Sequence, residues 1–347
     1  MKPSHFLSCD WGTSSFRLRW VRMIDGVVDA ELRGNDGVRA VYEAARAAGA
    51  TAEPDRRAFF ERAMLRELDL LTAGAVDRFR GAPLVISGMA SSSIGWCELP
   101  YASLPFRLDG KDLAVSMLSW SAPAWLGETF LISGVSSATE VMRGEETELV
   151  GLMGKSTRFA PVDAEVLVLP GTHSKHLWIR NQAVERMTTF LTGELFEVLS
   201  KHSVLRATLP VEDGAPVLPP ILEWSIDERA GFAEGVRAAR YAGLAASLFQ
   251  VRTRGVLSRR SALSNACYLS GLLIGAEWSS VLGYSESGRL ALGGGGRVAE
   301  LYEGAWAELN TGGWELQRLP VPSCEFASCE GQRLFLCRHL AEERYVH

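Results

Sequence analysis

The chain has 347 residues, 47% hydrophobic and 22% charged, with a net charge of −5. That length is about twice a single-domain chain and ample for a large core, so two domains are expected. Lysines and arginines are scattered rather than gathered into a basic stripe, which argues against a nucleic-acid surface, and no uncharged apolar run reaches the roughly 20 residues that a bilayer crossing needs.

The N-terminal Met1–His5 lacks a basic region followed by an apolar core, so a cytoplasmic chain is expected. Phe6–Asp10 is a short apolar strand ending on a carboxylate. Phe16–Met23 alternates Phe16, Leu18 and Trp20 against Arg17 and Arg19, the pattern of a half-buried strand, and Val27–Leu32 follows the Asp25-Gly26 turn as a third. Arg56–Leu71 has helical periodicity. Leu84–Ser87 and Phe130–Ser133 predict short buried strands, and Ala138–Met153 a helix. Ala164–Leu169 predicts a strand stopped by Pro170-Gly171. With Leu177–Ile179 and Val184–Phe190 it repeats the three-stranded opening of the chain. Pro210–Pro220 is a loop. Asp227–Tyr241, Ser261–Gly283 and Val298–Leu309 predict helices, with Ala262–Val281 a buried one. Leu290–Leu292 predicts a strand running into Gly293–Gly296.

Four segments carry chemistry. In Cys9-Asp10-Trp11-Gly12-Thr13-Ser14-Ser15, an aspartate at a strand end can hold magnesium through water, and a tight turn offers amides and hydroxyls to phosphate. An ordinary hairpin turn would use the same residues. Pro170-Gly171-Thr172-His173-Ser174-Lys175 sits at the matching place in the second half and adds a cation; His173 and His176 without a third ligand read as structural. The run Gly293, Gly294, Gly295, Gly296 lets a flat ring or phosphate lie on bare backbone, but Val298 breaks the dinucleotide fingerprint. Arg143-Gly144-Glu145-Glu146-Thr147-Glu148 follows Met142. On a helical wheel, Met142, Leu149 and Met153 form an apolar face flanked by Glu145 and Glu146, with Glu148 turned further away. A carboxylate beside an apolar stripe is where a general base would be found, although helix-start acids are also favoured by the dipole. Gly151–Ser156 ends like a P-loop but has Leu149 where a glycine is required and follows a helix. The six cysteines have no C-x-x-C spacing and read as buried or idle thiols.

Taken in order, Asp10–Thr13, Ser87-Gly88-Met89 with Ile94-Gly95-Trp96, Val141–Thr147, Pro170–Lys175, Thr192-Gly193-Glu194 and Ser270–Glu277 resemble the 2-dehydro-3-deoxygalactonokinase family of actin/hexokinase-like sugar kinases. The resemblance implies an α/β fold of two RNase H-like domains around a central cleft, placed here at 1–155 and 156–347. It implies ATP and Mg2+ as cofactors and phosphorylation of 2-dehydro-3-deoxy-D-galactonate at its 6-hydroxyl in galactonate breakdown. Gly12, Thr13 and Ser14 would then form the first phosphate loop, Gly171, Thr172, His173 and Lys175 the second, and Gly293–Gly296 the adenosine loop. Asp10 would hold the metal. A similar helix in the exopolyphosphatase branch supports Glu145 or Glu146 as base without choosing between them. Ser87, Gly88, Met89, Arg17 and Arg143 are the expected sugar-acid contacts, the arginines for its carboxylate. Ser91-Ser92-Ser93 departs from the family pattern, so a related 2-keto-3-deoxy acid is an alternative substrate. A phosphohydrolase of the same fold and a sugar-responsive regulator are competing readings. The expected partners are small molecules, with no nucleic acid or membrane, and homodimerisation is left open.

Overall fold

The structure, a computed structural model, describes residues 3–154, 157–160, 162–210, 218–283, 287–309 and 312–342. Part of the Pro210–Pro220 loop and the Lys155-Ser156 end of the P-loop-like segment therefore lie outside the described residues. The chain divides into two compact units: Met1–Val162 with Arg180–Arg186 and Pro322–His347, and Asp163–Ile179 with Met187–Val321.

In the first unit, β1 (His5–Trp11), β2 (Phe16–Arg22) and β3 (Val28–Gly34) form an antiparallel meander, followed by helices α1 (Val38–Ala47) and α2 (Glu53–Thr72). Strands β4 (Leu84–Gly88) and β5 (Thr129–Ile132) then add in parallel on the other side of β1, giving the order β3-β2-β1-β4-β5. Leu7, Cys9, Trp11, Phe16, Leu18 and Trp20 pack on Phe60, Met64 and Leu68 of α2. The opposite face of the sheet is also covered. Phe6, Val21, Val85 and Phe130 meet Cys329, Phe335 and Leu336, which belong to the last helix of the chain. The alternation in β2 thus separates two cores rather than core from water. Arg19, expected on a solvated face, is 1% exposed; it pairs with Glu31 and donates to Cys329 Sγ at 3.3 Å. Helix α3 spans Glu145–Met153. It is shorter than the expected Ala138–Met153, because Val141–Met142 pairs as a strand with Val135–Ser136 and Gly144 sits at φ +110°.

The second sheet repeats the plan. Strands β6 (Val166–Leu169), β7 (Ser174–Arg180) and β8 (Ala183–Phe190) lead into α4 (Thr192–His202), α5 (Ile226–Tyr241) and α6 (Ala262–Leu282). Strand β9 (Gly288–Leu292), α7 (Gly296–Leu309) and β10 (Trp314–Arg318) follow. The five-strand run β8-β7-β6-β9-β10, with β6 antiparallel to β7 and parallel to β9, matches β3-β2-β1-β4-β5 of the first sheet, and each sheet carries one further short edge strand at a different edge. Both units carry the RNase H-like sheet, so the α/β, actin/hexokinase-type fold class expected from the sequence holds. Helix α6 is the buried helix the sequence predicts, and among the described residues no helix is long and apolar enough to cross a membrane. The closing helix α8 (Ala327–Glu342) returns to the first unit.

Candidate active site

Open α/β sheets bind ligands at the carboxyl ends of their parallel strands, and in each unit the predicted turn stands there. In the first, Asp10 ends β1 and the Gly12–Ser15 turn is closed by Gly12 N–H donating to Ser15 O at 2.9 Å. The start of α1 docks on this turn through Val38 N–H to Gly12 O and Arg39 N–H to Thr13 O. Ser87 and Gly88 end the neighbouring β4 in register with Asp10 and Trp11. Gly88 has φ +91°, and a Cβ there would lie 2.7 Å from Trp11 O. The Gly144 corner also approaches Gly88, its would-be Cβ 3.4 Å from the Gly88 Cα. These two glycines bring the start of α3 against the ends of β1 and β4.

This junction gathers carboxylates. Asp10 is 18% exposed and receives Arg17 Nη1 at 3.5 Å. Burial raises its pKa, Arg17 and Arg19 oppose the rise, and Glu145 adds to it. Glu146 is fully buried, with Gly144 N–H donating to Oε2 at 2.7 Å and Thr147 Oγ1 donating to Oε1 at 2.9 Å. Burial and the Glu145 charge push it up to about 7. Glu145 remains half-buried and accepts Arg143 N–H at 2.9 Å. Glu148, expected to turn away, instead belongs to the cluster. Burial first, then the charges of Asp10, Glu145 and Glu146, push it to about 8 against the pull of Arg17. The reason is the late start of α3: Met142 is on a strand, so it cannot set the helix face.

Met89–Ser91 forms a short 3-10 turn directly after Gly88. Arg143 is committed to this turn: Nη1 donates to Ser91 O at 2.6 Å and to Ser91 Oγ at 2.5 Å, and the guanidinium stacks 4.1 Å from the Tyr101 ring centroid. Gln332, which the sequence reading missed, donates from Nε2 to Cys9 O at 2.9 Å and Ser87 Oγ at 2.8 Å, tying the ends of β1 and β4 from beneath. It lies 245 residues from Ser87, and no local pattern announces it.

In the second unit the Gly171–His173 turn joins β6 to β7. The start of α4 seats on it: Glu194 N–H donates to Thr172 O at 3.1 Å, and a Cβ on Gly193 would lie 2.7 Å from Gly171 O. His173 Nε2 bonds Glu194 Oε2 at 2.5 Å with both half exposed, while Lys175 is 4% exposed and donates to His173 O at 3.0 Å. Beneath the turn lies Glu277 of α6, 1% exposed. Its carboxylate accepts from Ser174 Oγ (2.6 Å), His176 Nε2 (2.7 Å), Thr192 Oγ1 (2.6 Å) and Tyr302 Oη (2.6 Å). Burial would raise its pKa, but these partners, His176 foremost, hold it below the usual range. His176 is thus structural, as expected. A lone carboxylate interrupting an apolar helix was the available signal for this network, since such a group must be paired.

The glycine run leaves β9 beside this turn, with Gly293 N–H donating to Val168 O at 2.8 Å and with Gly294 and Gly296 at positive φ. A cavity of about 410 Å³ opens next to the turn, with Gly171, Thr172, Thr192 and Gly193 on one wall and apolar Phe196, Leu273, Ile274 and Leu301 on others. Thr192 and Tyr302 both line this cavity and both bond Glu277, so that carboxylate links the floor of the cavity to the turn.

Over residues 10–319 the chain matches the family described as 2-keto-3-deoxy-galactonokinase. The "Probable 2-dehydro-3-deoxygalactonokinase" of Rhizobium meliloti (strain 1021) is 29% identical over 308 residues, 87% of this chain and 88% of that protein. The 2-dehydro-3-deoxygalactonokinase of Escherichia coli (strain K12) is 34% identical over 206 residues, 58% of this chain and 62% of that protein. A solved structure described as a "putative 2-dehydro-3-deoxygalactonokinase protein" from Sinorhizobium meliloti aligns with a TM-score of 0.70 at 27% identity, covering 94% of this chain and 97% of that one. With a match that spans most of the chain, the chain belongs to the 2-keto-3-deoxy-galactonokinase family of sugar-acid kinases.

Proposed function

We propose that this chain is a cytoplasmic enzyme of galactonate breakdown that transfers the γ-phosphate of ATP to the 6-hydroxyl of 2-dehydro-3-deoxy-D-galactonate. The observation that carries this reading is the convergence of Asp10, Glu145 and the Met89–Ser91 turn at one junction in a chain of this family. Phosphoryl transfer asks a protein mainly for positioning and charge control. Glu145, the more exposed of the two leading carboxylates of α3, accepts the proton of the 6-hydroxyl as that oxygen bonds to the γ-phosphorus and the bond to ADP breaks. Glu146, with both oxygens engaged within its own helix start, fixes the corner that aims Glu145. The amides and hydroxyls of Gly12–Ser14 receive phosphate oxygens in the first unit. Gly171, Thr172, His173, Lys175 and the Gly293–Gly296 run, with the adjoining cavity, receive the nucleotide in the second. Ser87, Gly88 and Met89 border the sugar acid, and Arg17 beside Asp10 faces its charge.

The residues fit magnesium. Asp10 is held in a carboxylate-rich pocket where burial and Glu145 disfavour its charge, which a dication would relieve. No set of three His, Cys, Asp or Glu side chains among the described residues is placed to hold a metal. Magnesium suits such a place, because it takes one or two carboxylates and completes its shell with water and phosphate. When bound, it neutralises charge on the phosphate oxygens.

The test is ATP consumption with magnesium, in the presence and absence of the sugar acid, followed by 31P–13C NMR of the product. Sugar-dependent ADP formation with phosphorus coupled to carbon 6 is expected. Equal ATP consumption in both conditions would make the protein a phosphohydrolase instead, and a preference for another 2-keto-3-deoxy acid would move the substrate within the class.

A further inference from the structure

The Met89–Trp96 loop is held by two guanidiniums from different elements. Arg143 grips its first half at Ser91. Arg56, on α2 and 6% exposed, grips its second half: Nε donates to Gly95 O at 2.9 Å and Nη2 to Ser93 O at 2.6 Å, while Nη1 reaches Thr51 O at 3.4 Å. Other buried arginines of this unit, Arg19 and Arg333, sit against Glu31 and Glu330. The hydrogen bonds of Arg56 all run to carbonyls among the described residues, with Glu53, one turn earlier on α2, as a nearby negative charge. Between the two grips, Ser93 is exposed and Ile94 half-buried. Because a trans peptide sets N–H opposite C=O, anchoring Ser93 O on Arg56 turns the Ile94 N–H away from Arg56. The loop therefore presents the Ser93 hydroxyl and the Ile94 amide at its tip, backed by two positive charges.

The geometry points to Arg56 as a positioning residue for the sugar acid: it fixes the Ser93–Ile94 tip so that this tip and the field of Arg56 and Arg143 receive the substrate carboxylate. This rests on the sugar-acid kinase reading above. Arg56 does not touch the reacting atoms; it acts through the loop, and its fork matters because only a planar guanidinium spans both the Ser93 and Gly95 carbonyls.

The experiment measures KM for sugar acid and for ATP separately in the full-length protein, Arg56→Gln and Arg56→Lys, with thermal unfolding of each. In Arg56→Gln the KM for sugar acid is expected to rise about ten-fold or more, the scale of losing a charge-assisted hydrogen bond, while the KM for ATP stays within about two-fold. Arg56→Lys keeps the charge without the fork and should recover part of the loss. Should Arg56→Gln fail to fold, Arg56→Lys alone must still show a KM shift confined to the sugar acid. The proposal is overturned if both KM values move together or neither moves. If the unaltered protein shows no sugar-dependent turnover, the functional reading itself fails, and the two failures are distinct.

Discussion

Two carboxylates stand near the predicted turns of the two units, and they are held in opposite ways. Asp10 has one distant arginine contact and carboxylate neighbours, and its pKa is raised. Glu277 is more deeply buried, yet four donors converge on it and its pKa is lowered. The same sheet plan supports both, so the difference comes from side chains. Burial alone does not decide a carboxylate's charge; the donors and charges facing it do as well. The second unit uses a saturated carboxylate to fix the shape of a turn and cavity. The first leaves the negative charge of Asp10 only partly compensated.

The contrast breaks most decisively at Asp10. Asp10→Asn should lower sugar-dependent turnover by about 10³-fold or more while thermal stability holds or rises, because a disfavoured charge has been removed. Near-normal turnover would take Asp10 out of the mechanism. Glu277→Ala should do the reverse, costing about 3–5 kcal/mol of stability in denaturant unfolding as buried donors lose their acceptor. An unchanged midpoint would show that water substitutes for the carboxylate. Between these, Glu145→Gln should reduce kcat about 10²–10³-fold, with Glu146→Gln markedly milder; the opposite order of the two would hand the base role to Glu146.

What the sequence made legible follows the same division. Both turns could be read because Asp-x-Gly-Thr and Gly-Thr-x-Ser are local, and each strand before them ends on a short buried run. The duplicated three-stranded openings were likewise visible from periods of two and from turn residues. Glu148 was misplaced because the start of α3 depends on the pairing of Val141–Met142 with Val135–Ser136 and on the Gly144 corner, neither of which a helical wheel contains. The burial of Arg19 was missed because its cover, Cys329, lies 310 residues along the chain. Arg56 and Gln332 act on backbone carbonyls, which leave no mark on side-chain patterning.

The smallest effect tests the first unit's half of the contrast through pH. Glu146 and Glu148 titrate near 7 and 8 in the folded chain against an ordinary value of 4.5. Between about pH 4.5 and 8, then, the folded chain keeps protons that the unfolded chain has released. Raising the pH through that window favours unfolding, so stability is greatest at its acid end and declines toward pH 8. The Asp10 shift has the same sign. Glu148→Gln mimics the protonated side chain at every pH. Measured by denaturant unfolding with a chelator present, the variant should match its parent near pH 4.5 and exceed it by about 2 kcal/mol near pH 8, a figure reduced for the partial exposure of the group. Parallel pH curves for parent and variant would mean that Glu148 ionises as freely in the folded chain as in the unfolded one. The junction would then hold its charges as comfortably as the second unit holds Glu277, and the contrast between the two would disappear.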